Sequence, residues 1–275
     1  MISTIIHIAD LHIPNNFEDK PFDKMVGDLY VEVAKSIEDL SMDEVRIVIS
    51  GDIFQHKIKV SNEAVIQFHK MLNMFNEFSK VIVIAGNHDL LENNTDRLDS
   101  ITPTFEINGV FPNVSYLDKA LGYKSGYVVD DNVIWVLYSI FDKFAKPNID
   151  MLRDEYPDKR IIGLYHGNIT GSVTDTGYVS ETGIDTDVFD VCDCVMAGHI
   201  HKFQTIKRNG VPIVYSGSVF QQNFGENIGG HGFVRWNLSD MSYEHIDVPN
   251  EYRMLKFEVT SFDDVKEDKE RLLNI

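Results

Sequence analysis

Five short stretches of this chain gather carboxylate, amide and imidazole side chains, four of them beside glycine. They are Asp10-Leu11-His12, Gly51-Asp52, Gly86-Asn87-His88-Asp89, His166-Gly167 and Gly198-His199-Ile200-His201. These groups are oxygen and nitrogen ligands suited to Mn, Fe, Zn or Co, with no thiolate required. A carboxylate shared between two such ions can hold them about 3.5–4 Å apart, where they activate water and clamp phosphate oxygens. In an extended Asp-x-His or His-x-His segment the outer side chains point the same way, so both can reach one locus. Glycine before Asp52, Asn87 and His199 allows a sharp turn and a close approach of backbone. One Gly-Asp pair carries no information, but five such stretches in order along the chain do.

Something must position these residues, and the apolar pattern supplies it. Near-continuous Ile/Val runs predict strands at Ile2–Ala9, Val45–Ser50, Val81–Ala85, Val133–Tyr138, Arg160–Tyr165, Val191–Ala197 and Val211–Tyr215, as in strands covered on both faces. Val26, Leu29, Tyr30, Val33, Ile37 and Leu40 recur at helical spacing, as do Ala64, Val65, Phe68, Met71, Leu72, Phe75 and Phe78 behind a candidate N-cap at Ser61. Strand–helix alternation predicts a layered α/β domain. Each motif follows a strand, and ligands gather outside the carboxyl ends of strands in such sheets. Asn209-Gly210 predicts a tight hairpin before Val211. Pro249-Asn250-Glu251 reads as a junction, dividing the chain into 1–248 and 249–275, with a new strand expected at Tyr252–Val259.

Composition narrows the field. The 275 residues carry 25 basic and 43 acidic groups, a net charge of −18, which opposes autonomous binding of a phosphate polymer. No run of 18 apolar residues occurs, so no membrane span is expected, and the N-terminus reads as a first strand, not a signal peptide. Cys192 and Cys194, one residue apart, read as reduced thiols on one side of a strand, in a cytoplasmic protein. His7 reads as a hydrogen-bonded core residue, His69 as an exposed helix residue, and His231 as part of a mobile Gly-rich loop.

The motif series resembles the calcineurin-like metallophosphoesterase superfamily over about residues 1–220. The resemblance implies a four-layer αββα sandwich of two sheets. It implies one metal on Asp10, His12 and His201, a second on Asn87, His166 and His199, and Asp52 bridging them. It makes His88 the general acid and Asp89 the partner behind it, with a metal-bridging hydroxide as nucleophile. Asp52 is followed by Ile53-Phe54-Gln55-His56, unlike the protein phosphatases of the superfamily.

Ala9-Asp10-Leu11-His12, Gly51-Asp52-Ile53-Phe54 and Gly198-His199-Ile200-His201 with Tyr215-Ser216-Gly217-Ser218 and Gly225-Glu226 are similar to the meiotic-recombination-eleven and SbcD nuclease family, including its phage forms. That resemblance implies a manganese-dependent DNA nuclease (Mg, Fe, Co or Zn being alternatives), with 3′-to-5′ exonuclease and single-strand endonuclease activity in double-strand-break repair and recombination. It also implies an SMC-like ABC ATPase partner, a homodimer through residues 61–78 and 90–107, and a cap domain beginning within 249–275. The family's second catalytic histidine falls at Gln55, with His56 one step later as a candidate substitute. A phosphodiesterase or phosphatase for small nucleotides is the alternative, and it suits the acidity better.

Overall fold

The computed structural model describes residues 1–16, 22–91, 97–106, 111–142 and 147–256. It has two six-stranded mixed sheets packed face to face. The first contains β1 (Thr4–Ile8), β2 (Val45–Ser50), β3 (Lys80–Ile84), β4 (Val114–Tyr116), β11 (Gly232–Asn237) and β12 (Ser242–Asp247), in the order β12-β11-β1-β2-β3-β4. The second contains β5 (Gly126–Asp130), β6 (Val133–Tyr138), β7 (Arg160–His166), β8 (Cys194–Gly198), β9 (Gln204–Arg208) and β10 (Val211–Tyr215), in the order β5-β6-β7-β8-β10-β9. Strands β1 to β4 pair in parallel, as do β6, β7, β8 and β10. The parallel strands therefore end on one side of each sheet.

Alternation along the strands decides which core each residue joins. Ile5, Val48, Ile82 and Ile84 of the first sheet meet Trp135, Leu137, Ile162, Leu164, Cys194 and Met196 of the second. The intervening Ile6, Ile8, Ile47, Ile49, Val81 and Val83 face α1 (Phe22–Ser36) and α2 (Asn62–Asn76). Trp135 and Trp236 are buried between the sheets, each removing roughly 200 Å² from water, about 5 kcal/mol in transfer terms. The outer face of the second sheet is covered by short elements and loops, among them the short helix Leu152–Glu155 and Phe189 of a 3-10 turn. The fourth layer is thus thinner than the helical layer expected.

At the amino ends of the parallel strands a polar clamp ties the sheets. Arg46 grips Asp130 through Nε at 2.7 Å and Nη2 at 3.2 Å, and Lys80 adds a contact at 3.1 Å. Burial works against the Asp130 carboxylate, but these cations outweigh it and hold the group down at about 2.

Several sequence expectations are met closely. Strands β2, β6 and β10 have the predicted limits, and the Ser61 hydroxyl caps α2 by accepting from the Ala64 amide at 3.1 Å. Asn209 and Gly210 both have positive φ, 49° and 87°, as a type I′ hairpin turn requires. Others are corrected. Met71 and Phe75 of α2 are buried, and Met74 and Phe78 pack on the same core, with Phe78 stacked on Tyr30 at 4.6 Å. These side chains serve the contact with α1, and Ile66 of the same helix is exposed. Cys192 and Cys194 join opposite cores, because Cys192 precedes the strand. His7 is fully buried but neither ring nitrogen meets a protein partner among the described residues. His69 is half-buried against Phe111.

Residues 252–256 form no strand; the rest of the strand expected at Tyr252–Val259, most of the expected cap and part of 90–107 lie outside the described residues. The segment after β12 returns to the body of the domain, where the Met254 amide donates to Gln221 Oε1 at 2.8 Å and Lys24 meets Glu251 at 3.3 Å. Among the described residues no helix is long and apolar enough to cross a membrane.

Candidate metal centre

The carboxyl ends of β1, β2 and β3 in one sheet and of β7 and β8 in the other bring the five motifs to one cleft. Backbone geometry does more here than extended alternation. Asp10, His12, Asp52 and His199 all have positive φ, at 53°, 46°, 49° and 101°, a region that non-glycine residues seldom occupy. The left-handed turns of Asp10 and His12, not an extended Asp-x-His, aim these side chains inward. Such strain persists where the surroundings over-determine it. Here they do: the Asp10 and His12 amides donate to the Gly51 and Asp52 carbonyls at 3.1 and 3.0 Å. The His199 amide donates to both Asp10 carboxylate oxygens at 3.0 Å. Gly51 turns with φ 87°. Gly86 and Gly198 instead allow contact, since a Cβ on Gly86 would strike the Asp52 backbone nitrogen and one on Gly198 the Ser50 carbonyl oxygen.

Two ligand groups result, joined at Asp52. Asp10, His12 and His201 offer ligand atoms within 4.8 Å of one another, and so do Asp52, His166 and His199. Asn87 Oδ1 completes the second group, 2.7 Å from His199 Nδ1 and 3.2 Å from His166 Nε2. Asp52 reaches both sides, with Oδ1 3.2 Å from His166 Nε2 and Oδ2 3.7 Å from His12 Nε2. A third group within the same limit joins His88 to His12 and Asp52, so His88 stands within ligand distance of the cleft as well.

The donor set fits a pair of divalent cations. His166 Nδ1 faces the Ser50 carbonyl at 2.7 Å and His201 Nδ1 faces Glu226 at 2.8 Å. Each acceptor takes the Nδ1 proton and leaves the Nε2 lone pair for a metal. His12 Nε2 and His201 Nε2 stand 3.0 Å apart, converging as two nitrogen ligands of one cation would. Asp10 and Asp52 are almost wholly buried, and among the described residues no lysine or arginine pairs with either. Burial pushes Asp10 up to about 6, against the pull of His166 and His201. For Asp52 burial is outweighed by His166, which holds the carboxylate well below its usual range. In return, burial at His166 is overcome by Asp52 and its pKa rises to about 9. Without a cation, an imidazolium supplies the charge that a metal would bring.

Around the ligands, some expected roles move. Asp89 does not bond to the His88 ring. It is buried and accepts from the amides of Gly86 at 2.8 Å, Ile53 at 3.1 Å and Phe54 at 3.2 Å, tying two ligand loops together. Burial, helped by the charge of Asp52, raises it to about 8 against these donors. The partner of His88 is the Gln55 carbonyl, 2.8 Å from Nδ1. Gln55 lines the cleft, whereas His56 is exposed and is not part of its lining. His231 is buried, held by Ser218 Oγ at 3.0 Å and the Asn227 carbonyl at 2.7 Å, so it is a structural residue and not a mobile one.

Two positioning carboxylates escaped the sequence reading. Glu226 appeared there only within a motif, yet it accepts from His201, from Asn223 Nδ2 at 2.6 Å and from the Gln222 amide at 2.7 Å. Asp118 accepts from the Ala85 amide at 2.8 Å and Ser139 Oγ at 2.5 Å, bracing the turn that carries Asn87. No local pattern around Asp118 signals this.

Comparison with known proteins agrees with the geometry. The chain is 34% identical over 259 residues to the uncharacterized protein R555 of Acanthamoeba polyphaga mimivirus, across 91% of this chain and 18% of that protein. It therefore spans under a fifth of that relative's length. A Staphylococcus aureus structure, provisionally described as a 5′-nucleotidase and holding α-ketoglutarate, shares the fold with a TM-score of 0.50 at 14% identity, covering 98% of this chain and 58% of that one. An archaeal phosphodiesterase structure aligns with a TM-score of 0.44 at 12% identity over 88% of this chain and 98% of that one. The model of the calcineurin-like phosphoesterase family matches residues 3–203, and the chain belongs to that family.

Proposed function

We propose that this phosphoester hydrolase is a two-metal DNA nuclease of a recombination or double-strand-break repair system, with Asp10, His12, Asp52, Asn87, His166, His199 and His201 as ligands. The family and the ligand cluster support metal-dependent phosphoester hydrolysis. The observation that favours a diester is the shape of the cleft. A cavity of about 740 Å³ opens on one side, sharing Asn87, His166 and His199, and a second of about 240 Å³ opens on the other, sharing His199 and His201. A phosphate at the ligands thus has room for a substituent in both directions. The bound cations, Mn²⁺ in this reading, would lower the pKa of water and clamp phosphate oxygens.

His88 keeps its Nδ1 proton on the Gln55 carbonyl, so Nε2 is the atom free to pass a proton to the leaving oxygen. Asp52 accepts from the His88 amide at 2.7 Å, which fixes the acid relative to the ligands. His88→Asn is expected to retain two metal ions and lose at least about a hundredfold in turnover. Loss of metal from that variant would return His88 to the ligand set.

One observation favours the alternative, a small-nucleotide phosphodiesterase: among the described residues no lysine or arginine lines the cleft on either side. In the nuclease reading, DNA is held instead by an SMC-like ATPase partner, and two-fold pairing near residues 61–78 and 90–107 accompanies it. A labelled DNA hairpin and bis-p-nitrophenyl phosphate, each with Mn²⁺ at low salt, separate the two. Hydrolysis of the small diester with the hairpin untouched would overturn the nuclease reading.

A further inference from the structure

The turn that carries Glu226 is held at its base by one buried side chain. Gln221 is 3% exposed, and its amide nitrogen donates to the Glu226 carbonyl at 3.3 Å and to the Met254 carbonyl at 3.2 Å. Its Oε1 accepts from the Met254 amide at 2.8 Å. Both N–H groups and the oxygen are thus engaged. The pair of bonds to Met254 is the exchange that a residue of a neighbouring strand would make. Above this base the turn closes on itself, the Glu226 amide donating to the Asn223 carbonyl at 3.2 Å and the Gly225 amide to Asn223 Oδ1 at 2.8 Å. The Glu226 carboxylate then meets His201 Nδ1. A continuous path of hydrogen bonds therefore runs from the Met254 backbone through Gln221 and Glu226 to a metal-ligand imidazole.

Other ties do not replace it. Among the described residues, the hydrogen bonds from 250–256 to the rest of the domain run to Gln221, while those of the Tyr252 amide and Arg253 Nε return to Asn250. Lys24 and Glu251 meet at 3.3 Å, but their side chains are 42% and 69% exposed, and a surface pair of this kind holds little. On its other side the turn is already anchored, since Phe220 packs edge-on against Phe22 with ring centroids 5.9 Å apart. Displacing Met254 would leave Gln221 Oε1 and one of its N–H groups unpaired in the interior, which a buried amide resists.

We propose that Gln221 is a positioning residue through which the segment after β12 sets the metal site of Asp10, His12 and His201. The inference rests on the ligand assignment proposed above, and not on the nature of the phosphoester. With Met254 in place, the turn is fixed at both ends and Glu226 holds His201 with Nε2 towards the cleft. With Met254 displaced, the turn relaxes and that one ion is held more weakly.

Calorimetric titration of Mn²⁺ into the chelator-treated full chain tests this. Gln221→Met keeps the length of the side chain, removes its hydrogen bonds and should weaken one site about tenfold, the low end for loss of a ligand's outer support. Met254→Pro removes the N–H that Oε1 accepts, on a segment that touches no proposed ligand, and should weaken the same site. Met254→Ala keeps that N–H and should bind as the wild type does. Added to Glu226→Ala, Gln221→Met should cost less than about a further twofold, because both act through one carboxylate. In the metal-free protein, imidazole-nitrogen NMR should show the His201 Nδ1 proton exchanging with water faster in Gln221→Met. Wild-type affinity at both sites in Gln221→Met and Met254→Pro, equal loss at both sites, or full additivity with Glu226→Ala overturns the inference. A wild-type chain that binds fewer than two ions would instead overturn the ligand assignment; an unchanged His201 exchange rate would then still refute the role of Gln221.

Discussion

Glu226 is the residue whose replacement best separates a built metal site from a fortuitous cluster of histidines. Its carboxylate is nearly buried and accepts from His201 Nδ1 at 2.8 Å, Asn223 Nδ2 at 2.6 Å and the Gln222 amide at 2.7 Å. In Glu226→Ala all three donors lose their acceptor. His201 and Asn223 line the 240 Å³ cavity, so water can re-satisfy them, and the cost per donor stays near the low end, about 1 kcal/mol. The larger effect is on the metal. Freed from the carboxylate, His201 can move its proton to Nε2, the atom that must coordinate. Removing such an outer carboxylate typically weakens a site about 10- to 100-fold, or about 1.4–2.7 kcal/mol. Glu226→Gln should lose less, since its oxygen can still serve His201, although its amide nitrogen then opposes the Gln222 N–H. Calorimetric titration of Mn²⁺ into chelator-treated protein is expected to show one weakened site, that of Asp10, His12 and His201, and one unchanged. Wild-type affinity at both sites, or equal loss at both, would refute the assignment.

Asp118→Ala should leave the Ala85 amide unpaired in the interior, destabilise the fold by about 2–3 kcal/mol and weaken the Asn87 site. Asp118→Asn should rescue both, as read by thermal unfolding and metal titration. Gly86→Ala forces a Cβ into the Asp52 backbone nitrogen and should abolish binding of both ions, whereas Gly27→Ala, with open space around it inside α1, should stabilise by about 0.5–1 kcal/mol. Burial pushes His7 down to about 3 from an ordinary 6.5. The unfolded chain therefore binds the extra proton, and the stability from keeping His7 neutral is complete above about pH 6.5. It is lost as pH falls towards 3, by about 1.4 kcal/mol per unit. His7→Leu should flatten that acid limb in urea titrations at pH 7 and 5, and an unchanged slope would refute it. Some slope will remain, because burial also lowers His12 to about 3 and His199 to about 4.

The seven residues that meet in the cleft, the parallel strands that carry them and the hairpin at Asn209-Gly210 were legible in the chain itself. Ligand chemistry resides in residue type, and Ile/Val runs and turn residues act over a few positions. What encloses the ligands was not legible. Asp118, Glu226 and the Gln55 carbonyl reach Ala85, His201 and His88 across 25 to 33 residues, between loops whose meeting depends on how two sheets stack. The same stacking assigned Met71 and Phe75 to the core, placed Gln55 and not His56 in the cleft, and gave Asp89 a bracing role apart from His88. Sequence determined that a metal pair could be held here. Only the tertiary structure decided how the ligands are oriented, because left-handed turns at Asp10, His12, Asp52 and His199 are stable only where both sheets close on them.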